Sequence, residues 1–112
     1  MPTGKPEILP GTLEMLALKT LSFGPLHGYG IAGHIQRLSG DALRVEEGSL
    51  YPALQRMQAK GWVRSEWKQS PTGRRARYYT LTAAGRKQLA GEAESFDRTV
   101  AAIARVMRAA EA

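Results

Sequence analysis

A chain of 112 residues, 43% of them hydrophobic, has enough apolar side chain for one compact domain with an appended helix and is too short for two full domains. Its 16 Lys and Arg against 10 Asp and Glu leave a formal charge of +6, which favours an acidic partner such as nucleic acid or an anionic membrane. With no cysteine, disulfides, thiol sensing and thiolate metal sites are excluded.

The opening decapeptide MPTGKPEILP lacks the apolar core of a signal peptide, and no uninterrupted apolar run reaches the ~20 residues of a membrane span. A soluble, cytoplasmic protein is expected. In LPGTLEMLALKTL, Leu13, Leu16, Ala17 and Leu21 fall at helical spacing, with Thr12 as N-cap and Gly24-Pro25 as the stop. This predicts a first, mostly buried helix. In HGYGIAGHIQRLSGD, Tyr29, Ile31, Ile35 and Leu38 are read onto one side of a second helix that ends at Ser39-Gly40. Its internal glycines cost helix stability, so they are expected to permit close packing.

GSLYPALQRMQAKGWV, Gly48 to Val63, predicts a third helix running into a strand. Ser49 can accept from first-turn amides, Pro52 is tolerated in that turn, and Leu50, Leu54 and Met57 recur at i, i+4 and i+7 as a core edge. After Gly61 the period changes to alternation, with Val63, Ser65 and Trp67 facing one way and Trp62, Arg64, Glu66 and Lys68 the other. ARYYTLT repeats the strand character, and QSPTGR supplies a turn between the two runs. Thr82 is the expected N-cap of a last helix broken only by Gly85 and Gly91 near its start.

The order is three short helices, a small antiparallel β-hairpin and a long helix. This mainly α layout is that of a winged helix-turn-helix domain over 1–82, followed by a C-terminal dimerisation helix over 83–112. In such a domain the third helix enters the major groove and the hairpin, or wing, lies along the backbone. Ser49, Leu50, Tyr51, Pro52, Gln55 and Arg56 are therefore candidate DNA contacts. Glutamine pairs bidentately with adenine, and arginine with guanine or a phosphate. A merely solvated helix face is the plainer reading, but the same edge continues into a charge block: from Arg56 to Lys87 there are nine basic residues and a single acid, Glu66. Arg74, Arg75 and Arg77 surround the wing tip, where long cations reach phosphates or a narrow minor groove. For any one of these three arginines, a role in solvation alone is about equally plausible.

LPGTLEMLALKTL, PLHGYGIAGHI, GSLYPALQRMQAKGWV and RARYYTLTAAGRKQL together resemble the PadR family of bacterial transcription regulators, over Leu9 to Leu89. The resemblance implies a dimeric winged-helix regulator, usually a repressor, released from its operator by a small aromatic or hydrophobic effector. It implies that Tyr29 matches the tyrosine of the second-helix motif, Ser49 and Tyr51 the start of the recognition helix, and Arg77, Tyr78 and Tyr79 the basic-aromatic segment after the wing. The last helix is short and single, as in the smaller subfamily, so the larger effector and dimer domain of bigger members is expected to be absent.

Leu89, Ala93, Phe96, Val100, Ile103, Met107 and Ala110 alternate four- and three-residue steps, the apolar seam of a helix that pairs with another helix. A helix of roughly 40 Å, at 1.5 Å per residue, outruns so small a domain. Homodimer pairing, with docking on the first helix, is the expected use.

Catalytic and metal chemistry are not expected, nor is a cofactor. His27 and His34 lack a third ligand, and His27 reads better as a residue that caps or orients the second helix, with His34 partly exposed. HGYGIAG follows no strand and has no P-loop lysine, so it does not signal nucleotide binding. Glu46 and Glu47 read as N-terminal dipole partners rather than an acid-base pair. Trp62 and Trp67 are expected to fill the gap between hairpin and helices, although flat aromatics can also stack on an effector. Two other classes stay open, a winged-helix protein-interaction module without operator specificity and a membrane-surface helix. Glu92, Glu94 and Asp97 argue against the second.

Overall fold

The computed structural model describes residues 11–110. The opening decapeptide, read above for its missing signal-peptide core, lies outside the described residues. Three helices, a three-stranded antiparallel sheet and a fourth long helix follow one another: α1 Thr12–Leu21, β1 Leu26–His27, α2 Gly28–Leu38, α3 Glu47–Ala59, β2 Val63–Gln69, β3 Arg75–Leu81 and α4 Ala83–Arg108.

The apolar positions of the first three helices meet in one core with the sheet. Leu13, Ala17, Leu18 and Leu21 of α1, Ile31 and Ile35 of α2, and Leu50, Ala53, Leu54 and Met57 of α3 are buried with Val63, Tyr79 and Leu81. Tyr29 does not share the buried side of α2, being two residues from Ile31 and about 200° around the helix. Leu38 is on the side of Ile31 and Ile35 but stays exposed, bordering an open hollow with Ile35.

The helix starts differ from the sequence reading in two places. Gly11, with a φ of 85°, turns the chain into α1, so Thr12 is already helical and no side chain caps it. At α3 the Glu46 carbonyl accepts from both Ser49 and Leu50 amides at 3.0 Å, so the helix begins at Glu47 and Ser49 is its third residue, not its cap. Pro52 consequently lies in the second turn, where its missing N–H removes the bond that would fall on the Gly48 carbonyl. His27 does cap α2, its Nδ1 accepting from the Gly30 amide at 2.9 Å.

The sheet has the order β1-β3-β2, so the hairpin of β2 and β3 gains a two-residue third strand: Leu26 pairs with Tyr79 and His27 with Tyr78. Thr82 then ties sheet to helix. Its Oγ1 accepts from the Gly85 amide at 3.0 Å and lies 2.6 Å from the Gly61 carbonyl, to which it donates. Gly85 packs against the Trp62 carbonyl and Leu81, with no room for a Cβ. The expected break at Gly85 and Gly91 is not there, because glycine at position 85 meets a packing need and Gly91 faces open space, while the helix runs on unbroken through both. α4 starts along α1, rests Leu89 on the core, and then projects, giving the molecule extents of 62 × 35 × 21 Å. Among the described residues no helix is long and apolar enough to cross a membrane.

Candidate nucleic-acid interface

Because Leu50, Leu54 and Met57 are buried, the remaining sides of α3 face outward with Ser49, Tyr51, Pro52, Gln55 and Arg56. Leu50 is fully buried, so its placement among the DNA contacts is corrected: the same spacing that puts it in the core takes it off the outer face. Tyr51 leans on the start of α2, where a Cβ at Gly28 would lie 2.7 Å from its ring. That glycine, rather than the internal Gly33, is where α2 permits close approach, with Gly30 packed nearly as tightly beside His27 and Leu26. Tyr29 is 75% exposed at the same end of α2, whereas Tyr78, whose ring meets His27 edge-on at 5.2 Å, lies directly opposite Glu66 on the sheet face turned away from α3.

Arg56 stands apart from the rest. It lies in the last turn of α3, and its Nε donates to Glu14 Oε1 of α1 at 3.0 Å. A guanidinium held this way is a tie between helices first. The pairing spans 42 positions of sequence, which is why periodicity within one helix gave no sign of it.

Strand register sorts the hairpin's charges. Residues directly opposite in an antiparallel pair share a face, and the pairs Val63 with Leu81, Ser65 with Tyr79, Trp67 with Arg77 and Gln69 with Arg75 make one face. Its inner end is core and joins α3. Its outer end carries Trp67, Arg75 and Arg77. The other face holds Arg64, Glu66, Lys68 and Tyr78, with Glu66 bound to Lys68 at 3.2 Å. The only acid of the two strands is therefore on the far side, and the side shared with α3 is free of carboxylates. A hydrogen-bond relay fixes the wing against the helix: Ser65 Oγ donates to Gln58 Oε1 at 2.9 Å, and Arg77 Nε donates to Ser65 Oγ at 2.8 Å. Arg74 sits in the turn, where Gly73 takes a φ of 89°. Burial pushes the Tyr79 phenol above its ordinary value, while the adjacent Arg77 charge pulls it down and Tyr51 adds a smaller push upward.

Trp62 meets its expectation in part, packed on the core beneath Lys60, whose Nζ is 4.6 Å from the ring centroid. Trp67 does not. It is 57% exposed, because the core stops at the level of Ser65 and Tyr79 and the wing continues beyond it.

On α4, Phe96, Val100, Ile103 and Met107 form an open apolar stripe with Val106 beside it, and Ala93 is exposed at its start. Leu89 is packed against the chain's own core, so the open stripe begins one step later than the seam read from sequence.

A helix-turn-helix with a basic wing is common to many proteins, so the family is decided by comparison of the whole pattern. The model of the PadR-like transcriptional regulator family matches residues 17–91, well over half of the chain. The chain belongs to that family. That family, and the PadR structures that the chain resembles, are transcriptional regulators. It is similar to a PadR family transcription regulator from Clostridium difficile, at 26% identity and a TM-score of 0.75, covering 87% of this chain and 99% of that one. It is also similar to a PadR-like transcriptional regulator from Bacillus cereus, at 27% identity and a TM-score of 0.77, covering 92% and 98%. In sequence it matches an uncharacterized 37.1 kDa protein of a Streptomyces fradiae transposon at 45% identity over 85 residues, 76% of this chain. The chain spans only 23% of that relative's length.

Proposed function

We propose that this PadR-like chain is a homodimeric repressor that binds a pseudo-palindromic operator in the cytoplasm and leaves it when a small aromatic or hydrophobic effector binds. The observation that carries the reading is the shared side of α3 and the wing. Ser49, Tyr51, Pro52 and Gln55 are outward on the helix, and the hairpin face continuous with it holds Arg75 and Arg77 without a carboxylate. In this reading the α3 side chains read base edges, Tyr29 borders them, and Arg74, Arg75 and Arg77 hold the backbone. Arg56 positions α3 through Glu14 and adds its remaining donors to the backbone contacts.

The dimer part rests on the open stripe of α4, since apolar side chains in a row on a projecting helix are most stable against a second helix. A two-fold pair places two recognition helices about 34 Å apart, one turn of DNA. The effector part is supported by an apolar hollow of about 370 Å³ between α1 and α2, lined by Leu16, Phe23, Ile35, Leu38 and Leu43, a volume in the range that takes small molecules.

Fluorescence anisotropy of duplex DNA from upstream of the protein's own gene, against scrambled duplex across a salt series, tests the reading. Sequence-preferring binding that falls steeply with salt is expected. Weak, sequence-blind binding would return the protein-interaction module to the front.

A further inference from the structure

Trp67 is a large apolar side chain that the core does not use. On β2, Val63 enters the core and Ser65 is bound to Gln58 of α3, but Trp67, next on the same face, is left open. An indole so placed forgoes most of the burial that makes tryptophan stabilising. Its immediate neighbours are cationic. The Arg75 and Arg77 guanidinium carbons lie 5.9 and 6.0 Å from its ring centroid, a range at which the attraction to the ring face is modest, so holding these cations does not account for it. Arg77 has its Nε committed to Ser65, which leaves its two terminal nitrogens as donors. No hairpin carboxylate shares the face.

A surface that sets a flat apolar ring on β2 beside two guanidinium groups on β3 offers a nucleic-acid strand partners for both its sugars and its phosphates. We propose that Trp67 is a DNA contact of the wing, packing on the deoxyribose of the duplex backbone while Arg75 and Arg77 take neighbouring phosphates. The inference rests on the DNA-binding reading above and adds to it a residue outside the recognition helix and an apolar, salt-independent component of affinity. The relay from Gln58 through Ser65 to Arg77 ties the wing to α3, which relates the contact to the bases read by that helix.

The chain holds two tryptophans, so Trp62→Phe leaves Trp67 as the sole indole. Titrated with operator duplex, this variant should show Trp67 emission quenched and its acrylamide accessibility reduced about twofold. In the otherwise unchanged protein, Trp67→Ala should weaken native and scrambled duplex alike by about tenfold with the salt slope unaltered. Arg75→Ala should instead lower that slope by about one. The Trp67→Ala comparison stands alone if Trp62→Phe disturbs folding. Duplex binding by anisotropy with unchanged Trp67 emission, and a Trp67→Ala variant that binds as tightly as the parent, would overturn the contact and leave DNA binding intact. Tighter binding of single strand than of duplex, with the quenching confined to single strand, would overturn it in favour of a base-stacking platform. Absence of any duplex binding removes both readings together.

Discussion

Arg56 and Glu14 join the last turn of α3 to the first turn of α1 through a 3.0 Å bond from Nε to Oε1. Glu14 is nearly covered, its side chain 12% exposed, whereas that of Arg56 is 56% exposed. The arginine thus brings its charge to a carboxylate that has given up most of its water. Arg56→Ala should lower stability by about 1 kcal/mol, the upper end for a pair with one solvated partner. A double-mutant cycle with Glu14→Ala, read by urea unfolding, checks it: coupling energy near zero would mean the pair holds nothing.

Gly28 and Tyr51 set the seat of α3 against α2. A Cβ at Gly28 meets the Tyr51 ring, so Gly28→Ala should swing that ring while costing only about 1 kcal/mol in stability. Operator affinity is expected to fall about tenfold, the worth of one good base contact, with scrambled-duplex affinity unchanged. Paired anisotropy titrations measure the difference.

Tyr79 gives an alkaline signature. Its folded-state pKa is raised by burial, so its proton is held more tightly in the folded chain than in the unfolded one. The stability this contributes is fully present below the unfolded value of about 10 and is lost as pH rises through the folded value. Tyr79→Phe should therefore lose less stability than the parent between about pH 9 and about pH 11, as read by urea unfolding at each pH.

Gly85 fixes the root of α4. A methyl group there would drive into the Trp62 carbonyl, which is backbone and cannot swing aside, so Gly85→Ala should cost about 3 kcal/mol. Gly91→Ala, in open space on the same helix, should stabilise by a few tenths of a kcal/mol to about 1 kcal/mol. Thermal unfolding of the two variants gives opposite shifts if the contact is as described.

Phe96 lies near the middle of α4, on its open stripe. Phe96→Asp should convert a dimeric protein to monomer, measured by light scattering, since an unpaired carboxylate inside a helix pair costs several kcal/mol. A dimer that persists in this variant would place the interface off the stripe.

The helices were legible because their apolar residues recur at a sustained helical period, and Thr82 and His27 because capping chemistry is local. What escaped was set by distance. β1 is two residues long, too short for any period, and becomes a strand only because Tyr78 and Tyr79 arrive beside it. The bond from Arg56 to Glu14 joins two helices that periodicity treats separately. Trp67 falls on the face read for it, but how far the core extends under that face depends on packing between elements, and of the hairpin only Val63, Tyr79 and Leu81 reach the core. Ser49 misled for a subtler reason. A serine before an apolar run signals a cap, yet the Glu46 carbonyl opens the helix sooner, and with that shift Pro52 moves a turn inward.

The Thr82 joint has a mechanical consequence. β3 ends at Leu81 and α4 begins at Ala83, with one residue between them, and that residue is bonded to Gly61, Trp62 and Gly85. There is no slack in which an angular change at the helix can dissipate. Over the roughly 39 Å of its 26 residues, a tilt of about 5° at this root displaces the far end by about 3 Å, close to the rise of one base pair. In the homodimer proposed above α4 would thus be a lever arm, and a few degrees of rotation where two copies meet would decide whether both α3 helices fall in step with the DNA.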